Sequence, residues 1–422
     1  MVWLLGGYMW LYVHRPFEVW PALGMLQFER GYMLAMILAW LVSPGKGVTA
    51  NRIHAALAFF ATVLLTSWVV SPYASKPGPT EVVDNFCKVA VFYLLVVTAV
   101  RDERSLRLLV LLFLGAVGLY MAHSFYEYLC GRYQYRQGTR RMIGVDVTFG
   151  DPNFFASTLL YALPMTLPFW NERPRRLPRW LILGYVSLAI LCILLTGSRA
   201  GFMGTVLLGV MLYLVSAKRK AQAVLLGGLL SAVAFLVLSV ALPEDLQNRY
   251  LTLVDSSRGP ANAQTSAEGR LDGFIWGIYV WQQSPLLGHG PSGFAYATNR
   301  GGQAHNLYGQ VLSELGALGA AALLLLVLCF WLNWRETRRL AAGDASANDF
   351  AYQLSRAVTI NVLLMLLMGW AGHNLFRYNW QWLAAFSAIA VHCLRRRVEV
   401  AREHAYQYPQ ARPGAPALQV AG

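Results

Sequence analysis

LPEDLQNRYLTLVDSSRGPANAQTSAEGRLDGFIWGIYVWQQSPLLGHGPSGFAYATNRGGQAHNLY, residues 242–308, is the one long polar interruption in a chain otherwise built from apolar runs. It carries Glu268-Gly269-Arg270 at its middle and His305-Asn306 at its end. Hydrophobic residues make up 56% of the 422, charged residues only 13%, and the mean hydropathy is +0.43. A soluble protein of this length carries roughly twice that charged fraction. A membrane chain that gathers guanidinium, carboxylate and imidazole groups on one face handles a polar, anionic substrate there.

Working outward, apolar stretches near the bilayer-spanning length of about 20 residues recur at 1–14, 31–43, 53–71, 83–100, 105–129, 152–170, 179–197, 200–216, 221–241, 309–333, 355–371 and 374–394. The expected fold is an all-α polytopic membrane protein of about twelve transmembrane helices with a large non-cytoplasmic loop containing interfacial helices. Nine spans occupy 1–241, the loop 242–308, three spans 309–394, and a cytoplasmic tail 395–422. The first span lacks a basic lead-in and a small-residue cleavage site, so it is expected to be retained.

The net charge of +14 raises the question of nucleic acid, but the distribution answers it. Basic residues sit in alternate short loops: Lys46 and Arg52; Arg101, Arg104 and Arg107; Arg173, Arg175, Arg176 and Arg179; Lys218, Arg219 and Lys220; Arg335, Arg338 and Arg339; Arg395, Arg396 and Arg397. Positive residues near span ends mark the cytoplasmic side, and with twelve spans all six loops fall on it. No nucleic-acid partner is implied. Cys87, Cys130, Cys192, Cys329 and Cys393 show no CxxC spacing and read as buried thiols, neither metal site nor disulfide framework.

The opposite face contains loops 15–30, 72–82, 130–151, 196–199, 242–308 and 372–378, and there arginines break the orientation rule. Arg132, Arg136, Arg140 and Arg141, then Arg199, then Arg249, Arg258, Arg270 and Arg300, and finally Arg377 lie in them. Guanidinium grips phosphate in bidentate fashion and stays charged, so a phosphate or pyrophosphate is a natural partner. Gripping lipid head groups or pairing with local carboxylates is the plainer reading of any one arginine. Leu271, Phe274, Ile275 and Ile278 predict an amphipathic helix over 268–283, and Pro243-Glu244-Asp245 opens a shorter one over 244–254. Ser256 to Ser266 is small and polar and is expected to be mobile, and the tail 398–422 is expected to be disordered.

His305 stands at the mouth of a span, where a near-neutral pKa suits a general base; His289 and His373 compete for that role. No metal-ligand spacing such as HExxH occurs. Asp84 and Lys88, and His123 and Glu127, are i, i+4 pairs near the outer ends of their spans.

Thr196-Gly197-Ser198-Arg199-Ala200-Gly201, Glu268-Gly269-Arg270-Leu271 with Trp276, Ser284-Pro285-Leu286-Leu287-Gly288-His289-Gly290, and Ala304-His305-Asn306-Leu307-Tyr308 occur in that order, with Asp151-Pro152-Asn153 upstream. Together they resemble the bacterial O-antigen ligase/polymerase family, most strongly over 150–320. The resemblance implies an inner-membrane glycosyltransferase acting at the periplasmic face. It implies a glycan donor on undecaprenyl pyrophosphate, a lipid A-core acceptor in the ligase branch, and no metal or other cofactor. Arg199 and Arg270 match the family's pyrophosphate-contacting arginines and His305 its essential histidine. Compact length and one dominant outer loop favour the ligase branch over the polymerases; relatives that modify pilins share the pattern.

The residue types fit that chemistry. Arginines stabilise a departing pyrophosphate, and a base removes the proton of an acceptor hydroxyl in a single, inverting displacement. His305, Arg270 and Arg199 are the candidate catalytic residues. Lys88, Arg136, Arg140, Glu268, Asn306, His373 and Arg377 are candidate substrate contacts; Glu268 is also an alternative base, or orients Arg270. The rival class is a transporter or lipid-linked-sugar flippase, which predicts internal repeats and broken midplane helices. The two halves show no such repeat.

Overall fold

Apolar periodicity becomes helix throughout the computed structural model, which describes residues 1–136, 138–172, 176–215, 242–252, 262–299, 301–342 and 349–407, the side chains of 215, 262–268, 405 and 407 apart. The protein is mostly helical. Val2–His14, Phe28–Val42, Ile53–Val70, Pro77–Ala99, Glu103–Leu129, Arg179–Leu195, Arg199–Val215, Leu307–Ala341, Phe350–Gly369 and Asn379–Gln407 answer ten of the expected spans. Five of them, Ile53–Val70, Pro77–Ala99, Glu103–Leu129, Leu307–Ala341 and Phe350–Gly369, are long and apolar enough to cross a membrane. The expected span 221–241 lies outside the described residues, as do Lys218, Arg219, Lys220, Arg258, Arg300 and the tail beyond 407.

Several expectations are corrected. The run 152–170 is a helix Pro152–Ala162, a 3₁₀ turn Leu163–Thr166 and a helix Leu167–Asn171, because Pro164 and Pro168 each lack the amide that would continue the ladder. The last helix runs on to Gln407 rather than ending at 394, so residues 398–407 are helical rather than part of the disordered tail expected. Its extension is rich in Arg and Glu, good helix formers, with Arg395 and Glu399 four apart. Cys87 and Cys130 are exposed, while Cys192, Cys329 and Cys393 are buried. The amphipathic helix begins at Asn262 rather than 268, and the short one ends at Leu251.

Ion pairs sort to the two ends of the bundle. At one end Arg52 and Arg395 both pair with Glu336, at 3.0 and 2.5 Å. Arg397 bridges Asp349 and Glu103, and Arg107 bridges Glu103 and Glu172. Basic loops widely separated in sequence thus share one face, as the charge pattern predicts. Between the ends lies an aromatic core in which Trp382 packs on Tyr12, Phe92, Phe113 and Tyr378.

At the other end, helix Leu307–Ala341 breaks at Gly316, whose φ of 65° favours glycine. A Cβ there would lie 2.5 Å from the Leu286 carbonyl. The turn 285–290 fills the break: Ser313 and Glu314 carbonyls accept from His289 and Gly290 amides at 2.9 Å, and Ala317 N–H donates to Pro285 at 2.8 Å. Backbone groups freed by the kink are therefore satisfied by the loop, fixing its position.

Candidate active site

The site is assembled by glycines. Helix Asn262–Gln283 lies against the start of helix Leu307–Ala341 with backbone touching backbone. A Cβ on Gly273 would fall 1.6 Å from the Ala304 carbonyl oxygen, one on Gly277 would meet Gly309 Cα at 2.5 Å, and one on Gly309 would meet the Gly273 oxygen at 2.4 Å. Gly273 is three residues from Arg270, and Ala304 precedes His305. The close approach therefore brings the segment of Arg270 against that of His305. Arg270's charge acts on His305, and Arg199's acts on Arg270. The three residues named as catalytic from the sequence are brought together.

His305 itself has φ 48°, left-handed backbone that is costly for a residue bearing a Cβ. The next residue holds it there. Asn306 Oδ1 accepts from Tyr308 and Gly309 amides at 2.9 and 3.1 Å, capping the long helix, and Nδ2 donates to the Trp370 carbonyl at 3.3 Å. Asn306 is wholly buried. Named from sequence as a substrate contact, it spends its acceptor on the cap and so positions the His305 backbone.

His373 lies edge-on to His305, with ring centroids 5.2 Å apart. Burial first, then Arg270, lowers the His305 pKa, while Asp151 raises it. Burial, His305 and Arg377 lower that of His373. Both rings keep accessible surface, which limits the depression. Each favours the neutral form that a general base needs. Asp151 also caps helix Pro152–Ala162, accepting from Asn153 N–H at 2.8 Å.

A second tier of arginines fixes the turn before Arg199. Arg141 Nε donates to the Thr196 carbonyl and Arg249 Nε to that of Gly197, each at 2.8 Å. Arg141 also reaches Asn153 Oδ1 at 3.1 Å. Arg199 donates to Thr252 Oγ1 at 3.3 Å. Burial and then Arg249 push the Arg141 pKa down to about 10; burial and then Arg199 lower that of Arg249. Mutual repulsion among guanidiniums is what an anion relieves. Three helices also begin here, at Pro152, Arg199 and Leu307, and their N-terminal ends favour negative charge. Arg141 and Arg249 were legible only as arginines on the outer side; the strand Thr139–Arg141 and helix Glu244–Leu251 that aim them appear only in three dimensions.

The remaining candidates sit differently. Arg136 is exposed on the hairpin of Gln134–Arg136 with Thr139–Arg141 and repels both Arg141 and Arg249. Arg140 is exposed there too, its guanidinium over Tyr133 and its backbone amide on Asp245 at 2.8 Å. Arg377 is buried, donating to Ser157 and Thr158 at 2.7 Å and stacked 3.7 Å above Phe154. Those contacts make it a buried brace between helix Pro152–Ala162 and the 372–378 loop. Lys88 pairs with Asp84 at 2.9 Å, as its spacing predicts, and with Glu29 at 3.5 Å, so two carboxylates already answer its charge. His123 stands 3.8 Å from Glu127 and 2.9 Å from His14. Glu268 lies in helix Asn262–Gln283, its side chain outside the described residues. Among described residues no group of His, Cys, Asp and Glu is arranged to hold a metal.

Residues 184–324, about a third of the chain, match the family model described as O-Antigen ligase. That interval contains Arg199, Arg249, Arg270 and His305; Arg141, Asp151, His373 and Arg377 complete the cluster from outside it. No curated protein matches the chain.

Proposed function

We propose, from the match of residues 184–324 to the family model described as O-Antigen ligase, that the chain is a glycosyltransferase of the bacterial inner membrane with its site facing the periplasm. It moves a glycan en bloc from undecaprenyl pyrophosphate to lipid A-core. The observation that carries this reading is the convergence of Arg199, Arg270 and His305, with Arg249 and His373 beside them, at the bundle end opposite the paired basic loops.

In this reading neutral His305 accepts the proton of an acceptor hydroxyl as its oxygen attacks the anomeric carbon. The bond from that carbon to the pyrophosphate oxygen breaks, and the electron pair leaves with undecaprenyl pyrophosphate. Arg199 and Arg270 meet charge that grows on the leaving group, so they stabilise the transition state more than the bound donor. Attack from the side opposite the departing oxygen inverts the anomeric centre. Arg141 and Arg249 hold the turn that presents Arg199.

The test incubates purified protein with lipid-linked O-antigen and, separately, lipid A-core, a second lipid-linked glycan, or a pilin. Band-shifted lipopolysaccharide with lipid A-core alone supports the ligase reading. Product with the second glycan or the pilin instead assigns polymerase or protein-transferase activity. Movement of the donor across a bilayer without transfer would make the protein a flippase.

A further inference from the structure

A cation-lined cavity lies at the other end of the bundle from His305, among the paired basic loops. It encloses about 650 Å³ between the loop before helix Ile53–Val70, the junction ahead of helix Glu103–Leu129, and helix Asn379–Gln407. Arg101, His392, Arg395 and Arg396 line it, with Asp102 and Glu399.

Two of these charges are already used. Arg395 is tied to Glu336 at 2.5 Å and to the Ala50 carbonyl at 2.7 Å, and Asp102 caps its helix through Ser105 N–H at 2.9 Å. Arg101 differs. Its guanidinium lies over Gly47, where a Cβ would meet Nη1 at 2.8 Å, and its buried Nε finds no partner among the described residues. The buried His392 Nε2 is likewise unpartnered, and that ring feels Arg101, Arg396 and Arg395 as well as Glu399. Arg396 and Glu399 are exposed at the mouth. A guanidinium packed in place with no ion-paired carboxylate among the described residues suits an anion, since a buried donor left unpaired is costly.

The rim identifies the molecule that carries the anion. Leu41, Val42 and Val48 are 54%, 84% and 66% exposed beside the cavity, and Lys46 lies 4.7 Å over the Trp40 ring. Cations inside an apolar rim at a span end match an anionic head group whose acyl chains run along the protein. The geometry points to a binding site for the phosphate of an anionic phospholipid, held by Arg101 and Arg396, at the bundle end remote from His305.

The test titrates detergent-purified full-length protein with phosphatidylglycerol, phosphatidylcholine or inorganic phosphate and follows the thermal midpoint. Phosphatidylglycerol raises the midpoint with saturation, and the other two give no comparable shift at equal phosphate. The double variant Arg101→Gln, Arg396→Gln needs at least about tenfold more phosphatidylglycerol for half the effect. Val48→Glu, which adds a carboxylate at the rim and removes no guanidinium, weakens it too. Arg338→Gln, an exposed charge outside the cavity, leaves it unchanged. Equal shifts from phosphatidylcholine, equal shifts from inorganic phosphate, or wild-type half-saturation in the double variant would each overturn the assignment.

Discussion

Gly273→Ala tests the assembly of the site most directly. Alanine ordinarily favours a helix over glycine by roughly 0.5–1 kcal/mol, so the substitution should stabilise helix Asn262–Gln283 if nothing opposed it. The added Cβ, however, would stand 1.6 Å from the Ala304 oxygen, where ordinary contact begins at 3.4 Å. The two backbones must part by roughly 1.8 Å, the difference of those distances. Overpacking of this kind costs about 1–3 kcal/mol, which outweighs the helical gain. Arg270 rides on one side of that contact and His305 on the other. A displacement of about 1 Å at a reacting centre costs about 10²-fold in rate. Glycan transfer from a lipid-linked donor should therefore fall at least about 100-fold while far-ultraviolet circular dichroism still reports a helical protein. Gly269→Ala, in the same helix but with nothing within 4 Å of its Cβ, should hold or raise the thermal midpoint. A Gly273→Ala protein that transfers at the wild-type rate would show that this contact does not align the catalytic groups.

Other outcomes follow from the same geometry. His305→Ala should keep its fold and lose transfer, measured as lipopolysaccharide product per unit of folded protein. The acid limb of kcat/KM should lie below the ordinary histidine pKa near 6.5, since burial and Arg270 lower it; Arg270→Gln, besides slowing transfer, should move the limb upward in the residual pH profile. Burial, His305 and Arg377 lower the pKa of folded His373, a depression its accessible ring surface moderates, so the unfolded chain takes up its proton first. Stability contributed by neutral His373 is thus complete above about pH 6.5 and lost below it; His373→Gln should flatten the thermal midpoint between about pH 7 and 5. Arg249→Lys should impair turnover with little loss of fold, because an ammonium cannot reproduce the directed Nε bond to Gly197. Asn306→Ala removes a buried cap and should cost about 1 kcal/mol in chemical denaturation, slowing transfer by freeing the His305 backbone.

Hydropathy determined the helices of this protein, since burying apolar side chains and satisfying backbone groups inside a bilayer leave few alternatives to helix. Charge placement likewise determined the partition of arginines between two ends, and Arg52, Arg107, Arg395 and Arg397 meet their acids at one of them. Residue chemistry marked the outer arginines and histidines as candidates, and the family resemblance of the short motifs picked Arg199, Arg270 and His305 from among them. What periodicity does not carry is the distance between remote segments. Gly273 against Ala304 is a contact between backbones, and a glycine in a helix reads from sequence only as a weak residue. The break at Gly316 hides inside an apolar run, and its purpose exists only with the 285–290 turn in place. Asn306 and Arg377 look like ligands until their partners are known; the tertiary structure turns one into a helix cap and the other into a buried brace. The physical reason is common to all four: a side chain's chemistry is local, whereas whether its donors and acceptors are already spent depends on packing from elsewhere in the chain.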